Sequence, residues 1–235
     1  MNLNQRLLDV YDCLFAAYGS QHWWPADTTL EIIVGAILTQ SAAWPNVEKA
    51  LANFKNAGAL SARGLRQIKE EKLALLLYPV GYYKTKARKI KAFADMLFQR
   101  YEGDLDRLLA IPVVELRSLL LSTHGIGPET ADAIILYASG QASFVIDAYT
   151  RRIFSRLGLG PAGDDYESWQ GMFMANLQPN VQAFKEYHAL IDRHAKSFCR
   201  KKPLCSPCPL LAFCPTGNLR SLSPSCNKNN RRASN

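Results

Sequence analysis

The chain lacks the marks of a membrane-bound or exported protein. It has no run of about 18 apolar residues, the length a helix needs to cross a bilayer, so no membrane partner is expected. Its first residues carry Asp9 and Asp12 inside an apolar stretch and no small-residue cleavage site follows, which argues against a secretory leader. Alternating apolar and polar residues, the signature of a half-buried strand, are scarce, and no internal repeat is visible. Acidic side chains are in the minority: 20 Asp and Glu against 28 Lys and Arg leave a net charge of +8, which suits a polyanionic partner. A reducing, cytoplasmic compartment is the expectation, with the six cysteines present as thiols or metal ligands.

With 235 residues, 48% of them hydrophobic, the chain can bury a full core in one or two domains. Apolar residues recur with helical period almost throughout. Leu7, Tyr11, Leu14 and Tyr18 form one stripe, and Ile90, Phe93, Leu97 and Tyr101 another. Further helices are expected near 29–39, 46–56, 61–68, 73–77, 112–121, 147–157, 166–177 and 181–197. The fold class is all-α. From Thr216 onward the residues are mostly Ser, Asn, Lys and Arg, a composition that cannot bury a core, so a disordered basic tail is expected.

The most informative run is Thr123-His124-Gly125-Ile126-Gly127-Pro128-Glu129-Thr130-Ala131. It reads as the end of one helix, a Gly-Ile-Gly turn, and a second helix with Pro128 at its first position, where a missing N–H costs nothing. In such a hairpin the two glycines let backbone N–H groups, with the positive end of the second helix, approach a phosphate oxygen. The contact holds a nucleic-acid backbone without reading its sequence. Asp147 follows at the start of the next helical run, as an N-cap or as a carboxylate set beside the anchored strand.

Cys199, Cys205, Cys208 and Cys214 are spaced Cys-x5-Cys-x2-Cys-x5-Cys, close enough to wrap one metal centre. Four thiolates suit either zinc or an iron–sulfur cluster. Arg200, Lys201 and Lys202 lie between the first two, as phosphate contacts held by the loop or as solvated charge. Trp23, Trp24 and Pro25 precede the second helix, and Trp44 lies shortly before the third. Tryptophans so placed pack a core or offer a stacking face.

The hairpin, its spacing to Asp147 and the residues after it resemble the helix-hairpin-helix, Gly-Pro, Asp superfamily of DNA glycosylases, the endonuclease III family in particular, over about residues 1–215. The resemblance implies a six-helix module at 23–138 carrying the hairpin, and a second domain formed by 1–22 with 139–215, leaving 216–235 as the tail. Asp147 would lie in the cleft between them. It further implies a monomer that binds double-stranded DNA containing damaged bases in base excision repair, in the cytoplasm at the nucleoid. Asp147 would be catalytic, Gly125, Ile126 and Gly127 would hold the DNA backbone, and the four cysteines would hold a [4Fe–4S] cluster with Arg200 and Lys201 against phosphates. The first gap between cysteines is one residue shorter than in the best-known members.

The Trp-Trp-Pro run, with Gly35-Ala36-Ile37-Leu38-Thr39-Gln40 and Trp44 after it, closely resembles the 3-methyladenine DNA glycosylase III subgroup. There the flipped alkylated base stacks on aromatic rings, which implies a pocket of Trp24, Pro25 and Trp44. Family members also plug the hole left by the flipped base. The matching residues are Gln40 or Ser41, and Tyr82; of the basic residues that follow, Lys84, Lys86, Arg88, Lys89 and Lys91, one or two are expected to contact phosphates, Lys84 among them, and the others to be solvated charges. One position departs from the bifunctional members: Glu129 stands where they carry the lysine that forms a Schiff base. The expectation is a monofunctional glycosylase. The alternatives are an endonuclease III-like enzyme acting on oxidised pyrimidines and a non-catalytic DNA-binding protein of the same fold.

Overall fold

The structure, a computed structural model, describes residues 2–221. It opens with α1 (Leu3–Tyr18) and continues through α2 (Thr29–Leu38), α3 (Trp44–Asn56), α4 (Ala62–Gln67), α5 (Glu70–Leu76), α6 (Tyr83–Tyr101), α7 (Leu105–Leu109), α8 (Val113–Ser122) and α9 (Pro128–Ala133). It closes with α10 (Ala148–Arg156), α11 (Tyr166–Asn176), α12 (Val181–Ser197) and α13 (Pro215–Ser221). No strand occurs among the described residues, and no described helix is long and apolar enough to cross a membrane. The chain divides into two compact units, one formed by Met1–Trp23 with the chain from Ile146 onward, the other by Trp24–Val145.

In the first unit α12 is the central element, with α1 and α10 packed against it. Leu7, Val10 and Leu14 of α1 are buried, as are Phe154, Phe173, Phe184, Leu190 and Ile191. Each such side chain contributes about 1.5–3 kcal/mol on leaving water. Phe154 and Phe173 meet edge to face with centroids 4.9 Å apart, and Tyr187 donates its hydroxyl to the Leu7 carbonyl at 2.7 Å, so the buried phenol is satisfied. One expectation is corrected here: the chain from Thr216, read as disordered, is helical to Ser221. Pro215 supplies a fixed helical φ at the start of α13, and Cys214 accepts the Gly217 N–H on its Sγ (3.2 Å) and the Asn218 N–H on its carbonyl (3.0 Å). The remainder of the expected tail lies outside the described residues.

In the second unit α2 is buried on nearly every side, with Ile33, Val34, Ile37 and Leu38 fully covered, as a helix apolar all round must be. Its start is fixed by a variant of the capping box: Thr28 Oγ1 accepts the Glu31 N–H, and Glu31 Oε2 accepts the N–H of Asp27, the residue before the cap, at 2.9 Å. Glu31 is therefore a buried cap, paired with Lys55 at 2.7 Å. The long α6 packs against α2, α4 and α5. Helix α9 continues without a break into a wider turn at Ile134–Ser139. Asp132, fully buried, is held by Arg117 through Nε to Oδ1 (3.0 Å) and Nη2 to Oδ2 (3.2 Å), and by the Ser143 hydroxyl at 2.6 Å. That network ties the hairpin to the chain leading out of the unit. A buried charge so fully bonded fixes geometry, whereas removing one partner would strand the other.

Candidate active site

The hairpin takes the form its residues dictate. Gly125 has φ +81°, a conformation that favours glycine, and an added Cβ would stand 2.3 Å from Lys89 Cγ. Gly127 is extended as the N-cap of α9, with open space where a Cβ would sit, and Pro128 is the first helical residue. Ile126 differs from expectation: its side chain is buried, and its N–H is already donated to the Thr123 carbonyl at 3.1 Å. It anchors the turn, which leaves the glycine amides and the α9 terminus for an anion.

Gln40, two residues past the end of α2, braces this turn. Its Nε2 donates to the Gly125 carbonyl (3.1 Å) and to Thr130 Oγ1 (3.0 Å), while its Oε1 accepts from Lys89 Nζ. A side chain committed on both ends is poorly suited to enter a duplex. Ser41 next to it is exposed with φ +53°, and Tyr82 is 77% exposed with φ +45°. Non-glycine residues seldom adopt this region, and strain of this kind gathers at working sites. Of the basic residues on α6, Lys84 and Arg88 are exposed. Lys86 and Lys91 turn inward onto backbone carbonyls and are not the solvated or phosphate-facing charges expected.

Trp24 and Trp44 come together edge to face, centroids 5.3 Å apart, and Tyr137 lies 5.1 Å from Trp24 on another side. Gly35 gives the Trp24 ring close approach, since a Cβ there would stand 3.3 Å from the ring and push it back by a few tenths of an ångström. Both tryptophans are half-buried, and Pro25 is exposed.

In the other unit Asp147 is the N-cap of α10. Its Oδ1 accepts both the Thr150 N–H (2.7 Å) and the Thr150 hydroxyl (2.8 Å). Its Oδ2 lies 3.8 Å from Nε2 of the buried His188 on α12, and the His188 ring packs beside Trp23 at 5.3 Å. Burial by itself would push the Asp147 carboxyl up, but His188 and the two Thr150 donors outweigh it and hold the group below its ordinary value. Asp147 is thus a cap through one oxygen and an ionised carboxylate through the other.

The other end of α10 holds the cysteine loop. Arg152 Nε donates to the Cys199 carbonyl at 2.8 Å. Arg156 Nη1 donates to Cys199 Sγ at 3.2 Å and to the Arg200 carbonyl at 2.7 Å, and its Nη2 reaches the Lys201 carbonyl. Cys199, Cys205, Cys208 and Cys214 all line one small cavity of about 20 Å³, and none is in a disulfide. Among the described residues no three His, Cys, Asp or Glu side chains gather tightly enough for a single metal ion. Arg200 and Lys201 are exposed.

The family model described as HhH-GPD superfamily base excision DNA repair protein matches residues 34–179, more than half of the chain. The chain belongs to this superfamily. It is 42% identical over 220 residues to a Methanocaldococcus jannaschii protein assigned as a DNA repair glycosylase, covering 91% of this chain and 97% of the relative. It is 30% identical over 135 residues to endonuclease III of Sulfolobus acidocaldarius, 57% of each chain. Among solved structures it is similar to the Helicobacter pylori 3-methyladenine DNA glycosylase bound to 1,N6-ethenoadenine, with TM-score 0.71, 25% identity, and 83% of this chain and 98% of that one covered. It shares its fold with an endonuclease III trapped as a covalent DNA intermediate, with TM-score 0.80, 21% identity, and 94% and 100% covered. This HhH-GPD protein is accordingly a base excision repair DNA glycosylase.

Several of its residues at these sites carried no signal in the sequence. His188 is 41 positions from Asp147, and Tyr137 more than 90 from Trp44. Neither belongs to a contiguous motif, and only the packing of distant helices brings them in. Arg152 and Arg156 could have been found, since cations one turn apart at the end of the helix that Asp147 begins invite a partner rich in carbonyls or thiolates.

Proposed function

We propose that this glycosylase is monofunctional and hydrolyses the N-glycosidic bond of alkylated bases such as 3-methyladenine in double-stranded DNA, acting as a monomer. The observation that carries the reading is the ring group of Trp24, Trp44 and Tyr137 on Gly35. Methylation at N3 makes adenine cationic, which weakens its glycosidic bond and favours contact with electron-rich faces. The Helicobacter pylori neighbour, whose structure holds an alkylated adenine derivative, supports the same class of ligand. Because the base departs neutral, no leaving-group acid is needed. Oδ2 of Asp147 stabilises the oxocarbenium charge growing on the sugar and orients or deprotonates the attacking water. The hairpin glycines hold the backbone phosphate, Lys84, Arg200 and Lys201 add further phosphate contacts, and Ser41 and Tyr82 fill the space the base leaves. Chromatography of DNA treated with a methylating agent should show release of 3-methyladenine by the purified protein. Release of oxidised pyrimidines alone would replace this reading by the endonuclease III-like one.

The cysteine loop fits a [4Fe–4S] cluster. Four thiols share one cavity, and the Arg156 and Gly217 donors directed at Cys199 Sγ and Cys214 Sγ suit thiolate ligands. Bound there, the cluster would serve as a rigid staple for the loop carrying Arg200 and Lys201, lowering the ordering cost of their phosphate contacts. Anaerobically purified protein should be brown and contain iron; colourless protein loaded with stoichiometric zinc would keep the ligand set and overturn the cluster.

A further inference from the structure

Lys86 is an unusual place for a charge. Its side chain is almost fully buried, at 2% exposure, and its Nζ donates to the Leu38 carbonyl at 2.9 Å and to the Val80 carbonyl at 3.0 Å. Burial pulls its pKa down to about 8. Placing an ammonium there has a desolvation cost, so the two carbonyls it satisfies point to what it is retained for.

Leu38 is the last residue of α2, three before Ser41. Val80 closes the short turn Tyr78–Val80, two before Tyr82. The cation thus sits at the negative end of α2 and on the carbonyl that leads into the Gly81–Tyr82 reversal, where both residues have positive φ. The Lys86 backbone adds a third tie, its N–H donating to the Tyr82 carbonyl at 3.0 Å. One turn further along α6, Lys89 orients Gln40, which braces the hairpin. All of these residues lie within the unit Trp24–Val145.

We propose that Lys86 is a positioning residue that fixes the loops of Ser41 and Tyr82 relative to each other, so that both side chains meet the duplex as one pre-set device; this rests on the insertion role assigned to them above. The cost of ordering two loops is then met on folding rather than at each encounter with DNA. Lys86 touches neither the base nor the sugar, so its effect falls on the extrusion of the base and not on the bond-breaking step.

Single-turnover excision of 3-methyladenine is compared on two duplexes, one with the lesion paired and one with it opposite an abasic analogue, where flipping is already favoured. A 2-aminopurine beside the lesion reports flipping directly. Lys86→Met, which keeps length and apolar stem but donates no hydrogen bond, should slow excision from the paired duplex and the flipping signal by about tenfold, and excision of the unpaired lesion by less than about threefold. Lys86→Arg, which keeps donors, should recover part of the loss. Tyr82→Ala serves as the benchmark for insertion itself. If Tyr82→Ala flips the base like the parent protein, the insertion reading fails whatever Lys86 does. If Tyr82→Ala is impaired but folded Lys86→Met is not, or slows both duplexes equally, the positioning role is overturned. Failure of both Lys86 variants to fold beside a folded Tyr82→Ala would also overturn it, because Lys86 would then hold the unit and not the two loops.

Discussion

Asp147→Asn should reduce release of 3-methyladenine by about 10²-fold or more while DNA affinity holds or improves. Asparagine caps a helix as well as aspartate does, so the Thr150 bonds at the start of α10 have an acceptor in either case. The fold should therefore survive, and the change isolates the charge. A hundredfold loss corresponds to about 2.7 kcal/mol of transition-state stabilisation, within the range for one group aimed at developing charge. Binding should not suffer, because a carboxylate near phosphates repels them. The state of Asp147 also sets a pH expectation. Its carboxyl is held below the ordinary value of 3.8, so the ionised form persists as pH falls toward that value. Its protonation should not limit the rate above about pH 4, and an acid limb near neutrality would belong to another group. Single-turnover base release and fluorescence anisotropy measure the two effects, and near-normal excision by Asp147→Asn would remove the residue from its role.

No covalent adduct should form when borohydride is added during turnover. Glu129 is exposed in the first turn of α9, where a carboxylate complements the helix dipole but offers no amine to the sugar C1′. The DNA product should stay unbroken, with an abasic site, until alkali or another enzyme cuts it. A gel after borohydride treatment reads both outcomes. Efficient trapping would demand an amine elsewhere and favour the endonuclease III-like reading. The buried Lys86, with its pKa drawn down to about 8, would be the wrong suspect, since its nitrogen is already directed at two carbonyls.

Much of this was written in contiguous sequence. Helix α12 runs over Val181–Ser197 as its apolar period predicts, and α2 and α8 end within a residue or so of expectation. The hairpin turn could be read because glycine and proline punctuate it, and the cap at Asp147 because capping is local. What period alone misses is polar. Helix α5 begins at Glu70, not near 73, because Glu70 and Glu71 suit a helix start without adding to an apolar stripe. Helix α7, only Leu105–Leu109, was missed although Asp104 caps it through the Arg107 N–H at 3.0 Å. Long-range roles were least legible. That Gln40 would serve the hairpin 85 residues away, leaving Ser41 exposed, depends on how α2 and α6 pack and not on any motif. The inward turn of Lys86 and Lys91 is likewise a tertiary fact, in which long stems cross apolar surface to reach helix ends.

With Ser41 and Tyr82 in the insertion role proposed for them, their left-handed backbone ties heat resistance to lesion search. Each such residue holds stored strain of about 1–3 kcal/mol that glycine would release, and in the Trp24–Val145 unit Glu102, with φ +57°, shares the conformation without lying in either loop. On the insertion role proposed for Ser41 and Tyr82, glycine at either would also leave nothing to push into the helix. A lineage moving to hotter surroundings would have to find its stability elsewhere, in loops and surface charge, and keep these two positions uncomfortable.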